Sequence, residues 1–241
     1  MALRRPTRLP WHRPVDSGHE HALSHAQARA LYDRLGSWLD TQRFYEDRAV
    51  SGLVARSRFE IAHAVFEFGC GTGRLAARLL ADVLPADARY TAVDISATMM
   101  RLATERLRPW TARATVRLTD GSPRSGGPDA SQDRFVSTYV LDLLADHDIR
   151  DVLTEAHRIL ADDGLLCLVT LASGSRGFAR LVTGVWTWLH RRHPVLVGGC
   201  RPVRAADYLS GDRWRLEHQE TIVAFGVSSQ VTVAAKRGAR C

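Results

Sequence analysis

The twelve residues from Val65 to Ala76 read Val-Phe-Glu-Phe-Gly-Cys-Gly-Thr-Gly-Arg-Leu-Ala. An apolar run meets glycine at three alternate positions, Gly69, Gly71 and Gly73, and a helix-like pattern follows at once. Such a junction has few folded solutions. The run suits a buried strand, the glycines a tight turn, and the rest a helix that starts above the strand end. The turn lets the backbone pass close beneath a ligand, and the N–H groups at the helix start favour its polar or anionic parts. The stretch therefore predicts a strand–turn–helix unit with a nucleotide-like ligand over its tip.

Strand-like and helix-like patterns alternate after that. Residues 62–69, 90–96, 114–120, 134–140 and 165–171 read as strands. Residues 73–84, 97–108 and 147–164 read as helices. The last of these carries Ile149, Val152, Leu153, Ala156, Ile159 and Leu160 on one face, with Gly164 as its stop. That order indicates a parallel sheet wound on both faces. Residues 214–225 and 228–237 flank a short turn containing Gly226 and read as an antiparallel pair. Residues 125–133 read as a plain surface loop, and no internal repeat is visible.

The ends of the chain differ from this middle. Residues 1–22 are basic, interrupted by Pro6, Pro10 and Pro14, and are expected to be poorly ordered. From residue 23 a single domain is expected. Residues 23–60 form its helical cap, with Ala28, Leu31, Leu35 and Leu39 at helical spacing, and residues 171–213 an insert after the fifth strand. At 241 residues the chain is long enough for one such domain with elaboration. No apolar run reaches about 18 residues, so no membrane-spanning helix is expected. The start lacks the apolar core of a signal peptide, which makes the cytoplasm the expected location; its Arg-rich, acid-free character also suits an organellar address. Cys70, Cys167, Cys200 and Cys241 show no CxxC spacing, so reduced thiols are expected and no metal site. The net charge of +7 would invite nucleic acid or an anionic membrane. Lys236 is the sole lysine, however, so the charge is largely an arginine bias of the kind codon composition produces. It is weak evidence for a nucleic-acid partner.

The glycine spacing separates two ligands. A dinucleotide turn of the form GxGxxG needs its third glycine where this chain has Arg74. Here the glycine falls one residue early, and an acid precedes the turn: Glu67-Phe68-Gly69-Cys70-Gly71-Thr72-Gly73. This pattern resembles the first motif of class I S-adenosylmethionine-dependent methyltransferases. Further matches follow in order. They are Asp94 in "VDIS", Asp120 in "TDG", the stretch "STYVLDLL" after the fourth strand, and the terminal pair of strands. The resemblance covers about residues 30–236 and is nearest the small-molecule group that includes ubiquinone/menaquinone C-methyltransferases and phospholipid N-methyltransferases. It implies a Rossmann-like, doubly wound sheet of seven strands, mostly parallel, with an antiparallel C-terminal hairpin. It also implies S-adenosylmethionine as cofactor. Glu67, Gly69, Cys70, Gly71, Gly73, Asp94, Ile95, Met99, Asp120 and Thr138 are the implied cofactor-binding positions. Asp94 would hold the ribose hydroxyls, since a carboxylate accepts two hydrogen bonds from a vicinal diol. Asp120 would meet the adenine amine or merely close a turn, and Met99 would lie against the adenine or pack in the core. Ser96 reads as the cap of the following helix.

Methyl transfer from a sulfonium asks mainly for alignment, so no catalytic motif is required. The residues after the fourth strand face the expected reaction cavity. Tyr139 is a candidate to orient a substrate, or a core aromatic. Asp142 is a candidate proton acceptor or amine contact, or a helix cap. In the insert, Arg201 is a candidate contact for a substrate anion. Trp186 and the surrounding arginines suit a lid over a small-molecule or lipid-like acceptor, or a peripheral contact with an anionic membrane. Tyr32, in the cap, is a third candidate substrate contact. The Asp/Asn-Pro-Pro-Tyr/Phe tetrapeptide of many nucleic-acid N-methylating enzymes is absent at "TYVL". The competing readings are a protein that binds S-adenosylmethionine without turnover, an NAD-linked reductase, and a nucleic-acid or protein methyltransferase.

Overall fold

The computed structural model describes residues 26, 29, 30, 33, 43–172 and 201–238. Its centre is a sheet of seven strands: β1 (Ala64–Phe68), β2 (Arg89–Asp94), β3 (Ala114–Leu118), β4 (Gln132–Thr138), β5 (Leu160–Leu171), β6 (Trp214–Ala224) and β7 (Val227–Lys236). The spatial order is β3-β2-β1-β4-β5-β7-β6. The first five strands pair in parallel; β7 runs antiparallel to both β5 and β6. The seven-stranded, mostly parallel sheet with its antiparallel hairpin is thus as the sequence predicts.

Four helices within residues 43–172 flank it: α1 (Arg43–Arg56), α2 (Arg74–Asp82), α3 (Ala97–Arg106) and α4 (Asp146–Ile159). The strands divide their side chains between two cores. Val65, Tyr90, Ala92, Val136 and Val231 meet α1, α2 and α3 on one face. Phe66, Phe68, Phe135 and Leu168 meet α4 and the segment around Val203 and Ala205 on the other. Because both faces are covered, β1 buries four of its five residues and β4 its middle four, as parallel central strands do. The helices follow their apolar stripes. In α2, Leu75, Ala76, Leu79 and Leu80 are buried; in α4, Ile149, Val152, Leu153, Ala156 and Ile159 are. Ser96 caps α3, its Oγ accepting the Met99 amide at 3.2 Å, as the sequence predicts. Among the described residues no helix is long and apolar enough to cross a membrane.

Two local expectations are corrected. α4 ends at Ile159 rather than Gly164. Gln132 of β4 pairs with Leu160, and the next pair is Arg134 with Leu165, so residues 161–164 bulge out of the ladder. Gly164 belongs to that bulge; a Cβ there would come within 2.9 Å of the Ala161 carbonyl oxygen. Pairing with the sheet outweighs the helical pattern of four more residues. The stretch 125–133 is not a plain surface loop either, since Gln132 and Asp133 already belong to β4. Ser125 is buried, and its amide and hydroxyl both donate to Glu155 of α4 at 2.7 Å.

Candidate functional site

Strand order locates the site. From β1 the chain moves outward through β2 and β3, then returns to the other side of β1 with β4. Ligands of open parallel sheets bind above the strand ends at such a reversal. The glycine turn closes β1 at this point. Gly69, Gly71 and Gly73 all have left-handed backbones, with φ of 76°, 52° and 74°. Each serves a different neighbour. A Cβ at Gly69 would lie 2.3 Å from Val140, just beyond β4, and one at Gly73 would lie 3.0 Å from Ala103 of α3. A Cβ at Gly71 would meet nothing within 4 Å. The first and third glycines therefore let the protein close up, and the middle one faces open space.

The turn is held from several sides. The Gly69 and Cys70 amides both donate to the Val93 carbonyl, at 2.9 and 3.0 Å. Arg106 of α3 donates to the Thr72 carbonyl at 2.6 Å and also to its hydroxyl. Arg74 points away from the turn and pairs with Asp47 of α1 at 2.6 Å. The central contact is from Asp94, at the tip of β2. Its Oδ2 accepts the Gly71 amide at 2.8 Å and its Oδ1 accepts the Ser96 amide at 2.9 Å. Each carboxylate oxygen keeps capacity for a further donor. Burial pushes the Asp94 carboxyl up to about 6, against the pull of these amides.

Glu67 stands one residue from the end of β1, on the same sheet face as Tyr90. The Tyr90 hydroxyl donates to its Oε2 at 2.9 Å. Burial pushes the Glu67 carboxyl up to about 8; the Tyr90 bond opposes this and the nearby Asp94 charge adds to it. Cys70 is buried close to both acids, and burial raises its thiol well above the usual range, so it is unreactive. Ile95 is half-exposed beside Asp94, whereas Met99 is fully buried and packs in the core. From the N-terminal segment, Asp33 accepts the Ser96 hydroxyl at 2.6 Å and the Thr98 amide at 3.3 Å. That segment thus reaches the start of α3, beside Asp94.

The candidates farther out divide. Thr138 is the last residue of β4 and is half-buried at the strand tip. Tyr139 follows with φ +58°, an angle rarely taken by a bulky side chain. Its hydroxyl and the Ser229 hydroxyl of β7 lie 2.8 Å apart, and burial raises the phenol above its ordinary range. Asp120 is exposed and accepts the Ser122 amide at 2.8 Å, closing a turn beyond β3. Asp142 requires a correction. It is completely buried, and both its oxygens accept the Leu171 amide at 3.0 Å. The buried side chain braces the β4 and β5 ends, and its oxygens are turned onto the backbone rather than into the crevice. Arg201 is also already engaged, donating to the Leu144 carbonyl at 2.9 Å and to Asp146 at 2.8 Å. Its charge is met by Asp146 rather than held out for an anion. Tyr32 and Trp186 lie outside the described residues.

Sequence reasoning missed Tyr90 as the partner of Glu67 and Arg106 as the prop under Thr72. The first was readable in principle. Alternation on two neighbouring parallel strands puts Glu67, Tyr90 and Ala92 on one face.

Comparison with known proteins agrees with this geometry. Residues 65–164 match the sequence model of a family described as methyltransferase domain. No curated protein matches the chain in sequence. Among solved structures, the chain is similar to the [4+2]-cyclase SpnF, with a TM-score of 0.66 and 15% identity over 90% of this chain and 98% of that one. It is similar to the mitomycin 7-O-methyltransferase MmcR, with a TM-score of 0.63 and 19% identity over 88% of this chain and 58% of that one. It is also similar to magnesium protoporphyrin IX methyltransferase (ChlM) from Synechocystis PCC 6803 with bound SAH, with a TM-score of 0.59 and 20% identity over 80% of this chain and 81% of that one. In its central 65–164 stretch the chain carries the sequence pattern of the methyltransferase-domain family, on the seven-stranded Rossmann-like fold these structures share.

Proposed function

We propose that the protein transfers a methyl group from S-adenosylmethionine to a small-molecule or lipid-like acceptor. One observation carries the reading: Asp94 and the open face of Gly71 are joined by a 2.8 Å hydrogen bond at the sheet's reversal point. A buried carboxylate with spare acceptor capacity fits a ribose diol, and a glycine facing open space fits a ligand pressed against the backbone. Glu67 lies toward the ligand's amino-acid end, and Ile95 offers an apolar contact to its base. The bound cofactor supplies a methyl group on an already activated sulfonium. The chain's own work is then to bind, align and exclude water. With its phenol raised and tied to Ser229, Tyr139 serves as a hydrogen-bonding wall and not as a base. With Asp142 locked away, the acceptor brings its own nucleophile, such as an amine, an enol or an ionised phenol.

The neighbours titled methyltransferases support the class; the quinone and phospholipid subgroup is the finer part of the proposal. The SpnF likeness shows that the same architecture occurs in a protein titled a cyclase, so turnover needs its own test. The full chain is incubated with methyl-labelled S-adenosylmethionine and a panel of quinols, phenols and amines, and release of S-adenosylhomocysteine is followed. Acceptor-dependent release is expected. Tight binding of the donor with no release by any acceptor would instead favour a regulatory or assembly role. The Arg-rich insert suggests that acceptors are met at an anionic membrane surface; salt-sensitive co-sedimentation with anionic liposomes tests this.

A further inference from the structure

A cavity of about 650 Å³ opens at the end of the sheet opposite the glycine turn, where β1, β4 and β5 begin. β1 has five residues, so at about 3.3 Å per residue the strand alone puts about 16 Å between this cavity and the glycine turn. Its floor holds Arg134, only 4% exposed. The guanidinium is held by carbonyl groups: Nε donates to Ser57 at 2.5 Å, Nη2 to Arg58 at 2.5 Å and Nη1 to Asp133 at 2.7 Å. Two of its five N–H groups are left over. The neighbouring Asp133 carboxylate is turned onto the His63 and Ala64 amides, at 2.7 and 2.9 Å. Among the described residues Arg134 has no ion-pair partner. A buried charge matched only by carbonyl dipoles is costly unless something negative meets it.

The walls add charge of the same sign. Arg58, Arg215, Lys236 and Arg237 line the cavity with Arg134, against three carboxylates, Asp133, Asp162 and Asp163. Part of this is balanced internally. Lys236 lies 3.7 Å from Asp162 and donates to the Leu160 carbonyl, and Arg215 pairs with Glu217 at 2.7 Å. The Arg237 guanidinium donates a long 3.4 Å bond to the Trp214 carbonyl. Arg58 is exposed and takes a left-handed backbone, φ 49°, which turns its carbonyl onto Arg134. Among the described residues, the guanidiniums of Arg58, Arg134 and Arg237 have no carboxylate partner of their own, and all three residues line the cavity. Guanidiniums match phosphate in pairs of parallel hydrogen bonds. The volume exceeds what a bare phosphate fills, and Ile61, 61% exposed, gives the rim an apolar surface.

We propose that this basal cavity is a second ligand site that takes a phosphorylated small molecule, its phosphate on Arg58, Arg134 and Arg237 and its organic part against Ile61. The test uses the full chain with inorganic tripolyphosphate as probe, by isothermal titration at low ionic strength. The variant is Arg58→Gly with Arg237→Ala. Glycine suits the φ of position 58, so this protein is expected to fold; Arg134→Gln is a second variant aimed at the floor. Saturable binding is expected in the wild type, weakened at least about tenfold in the double variant, with S-adenosylhomocysteine affinity unchanged. Three results would overturn the proposal. One is the absence of saturation by about 10 mM probe. Another is equal binding by the wild type and the double variant. The third is loss of probe binding in Asp94→Ala, which would place the anion in the glycine-turn site. Binding of a single-stranded RNA oligonucleotide without binding of tripolyphosphate would likewise replace the small-molecule ligand.

Discussion

Glu67 and Asp94 are both carboxylates that the sheet buries, and they differ in what holds them. Asp94 has two backbone amides; Glu67 has one phenol. Burial accordingly raises Glu67 from an ordinary 4.5 to about 8, and Asp94 from 3.8 to about 6. Between about pH 4.5 and 8 the folded protein keeps a proton on Glu67 that the unfolded chain has released. Stability therefore falls as pH rises through that window. Glu67→Gln removes this fall while keeping an acceptor for Tyr90. Near pH 9 the ligand-free variant is expected to melt about 3 °C or more above the wild type, and near pH 5 at the same temperature. Parallel curves of melting temperature against pH would contradict the assignment. Both acids were legible from the sequence because the first motif and the end of the second strand are local patterns. The fates of Asp142 and Arg201 were not. Their partners lie 29 and 55 positions away, and only the packed chain brings them together.

At the scale of elements, the glycine turn works because the start of α2 lies close against the later half of α3. Gly73→Ala would force a left-handed alanine against Ala103. The expected cost is about 2 kcal/mol, or about 6 °C in melting temperature for a chain of this size. A circular-dichroism melt checks it, and an unchanged melt would mean that the helices are free to part. On the far side of the sheet, Glu155 ties the β3–β4 connection to α4. Its hydrogen bonds and ion pair with Arg158, followed by those from Ser125, hold its carboxyl down at about 2. Stability from this group is complete above its ordinary 4.5 and is lost as pH falls toward about 2. Glu155→Gln should cost about 1–3 kcal/mol at neutral pH and flatten the acid limb of the stability curve. An unaltered acid limb would show that Glu155 does not govern it. Element type and order were readable because the strands and helices carry their own periodicities. The end of α4 was not, since a helical pattern continued through residues that the β4–β5 ladder claims.

For the whole molecule, the reversal of strand order between the parallel neighbours β1 and β4 makes one crevice, which is the proposed place of the cofactor. A ligand that binds only the folded chain stabilises it by mass action. S-adenosylhomocysteine at about 100 times its Kd should add about 2.7 kcal/mol, raising the melting temperature by about 8 °C; NAD should leave it unchanged. The most direct test of the central claim is isothermal titration of the full chain with S-adenosylhomocysteine, in the wild type and in Asp94→Ala. Saturable binding tighter than about 1 mM is expected, weakened at least about tenfold when the carboxylate is removed. No saturable binding, or the same affinity in both proteins, would contradict it.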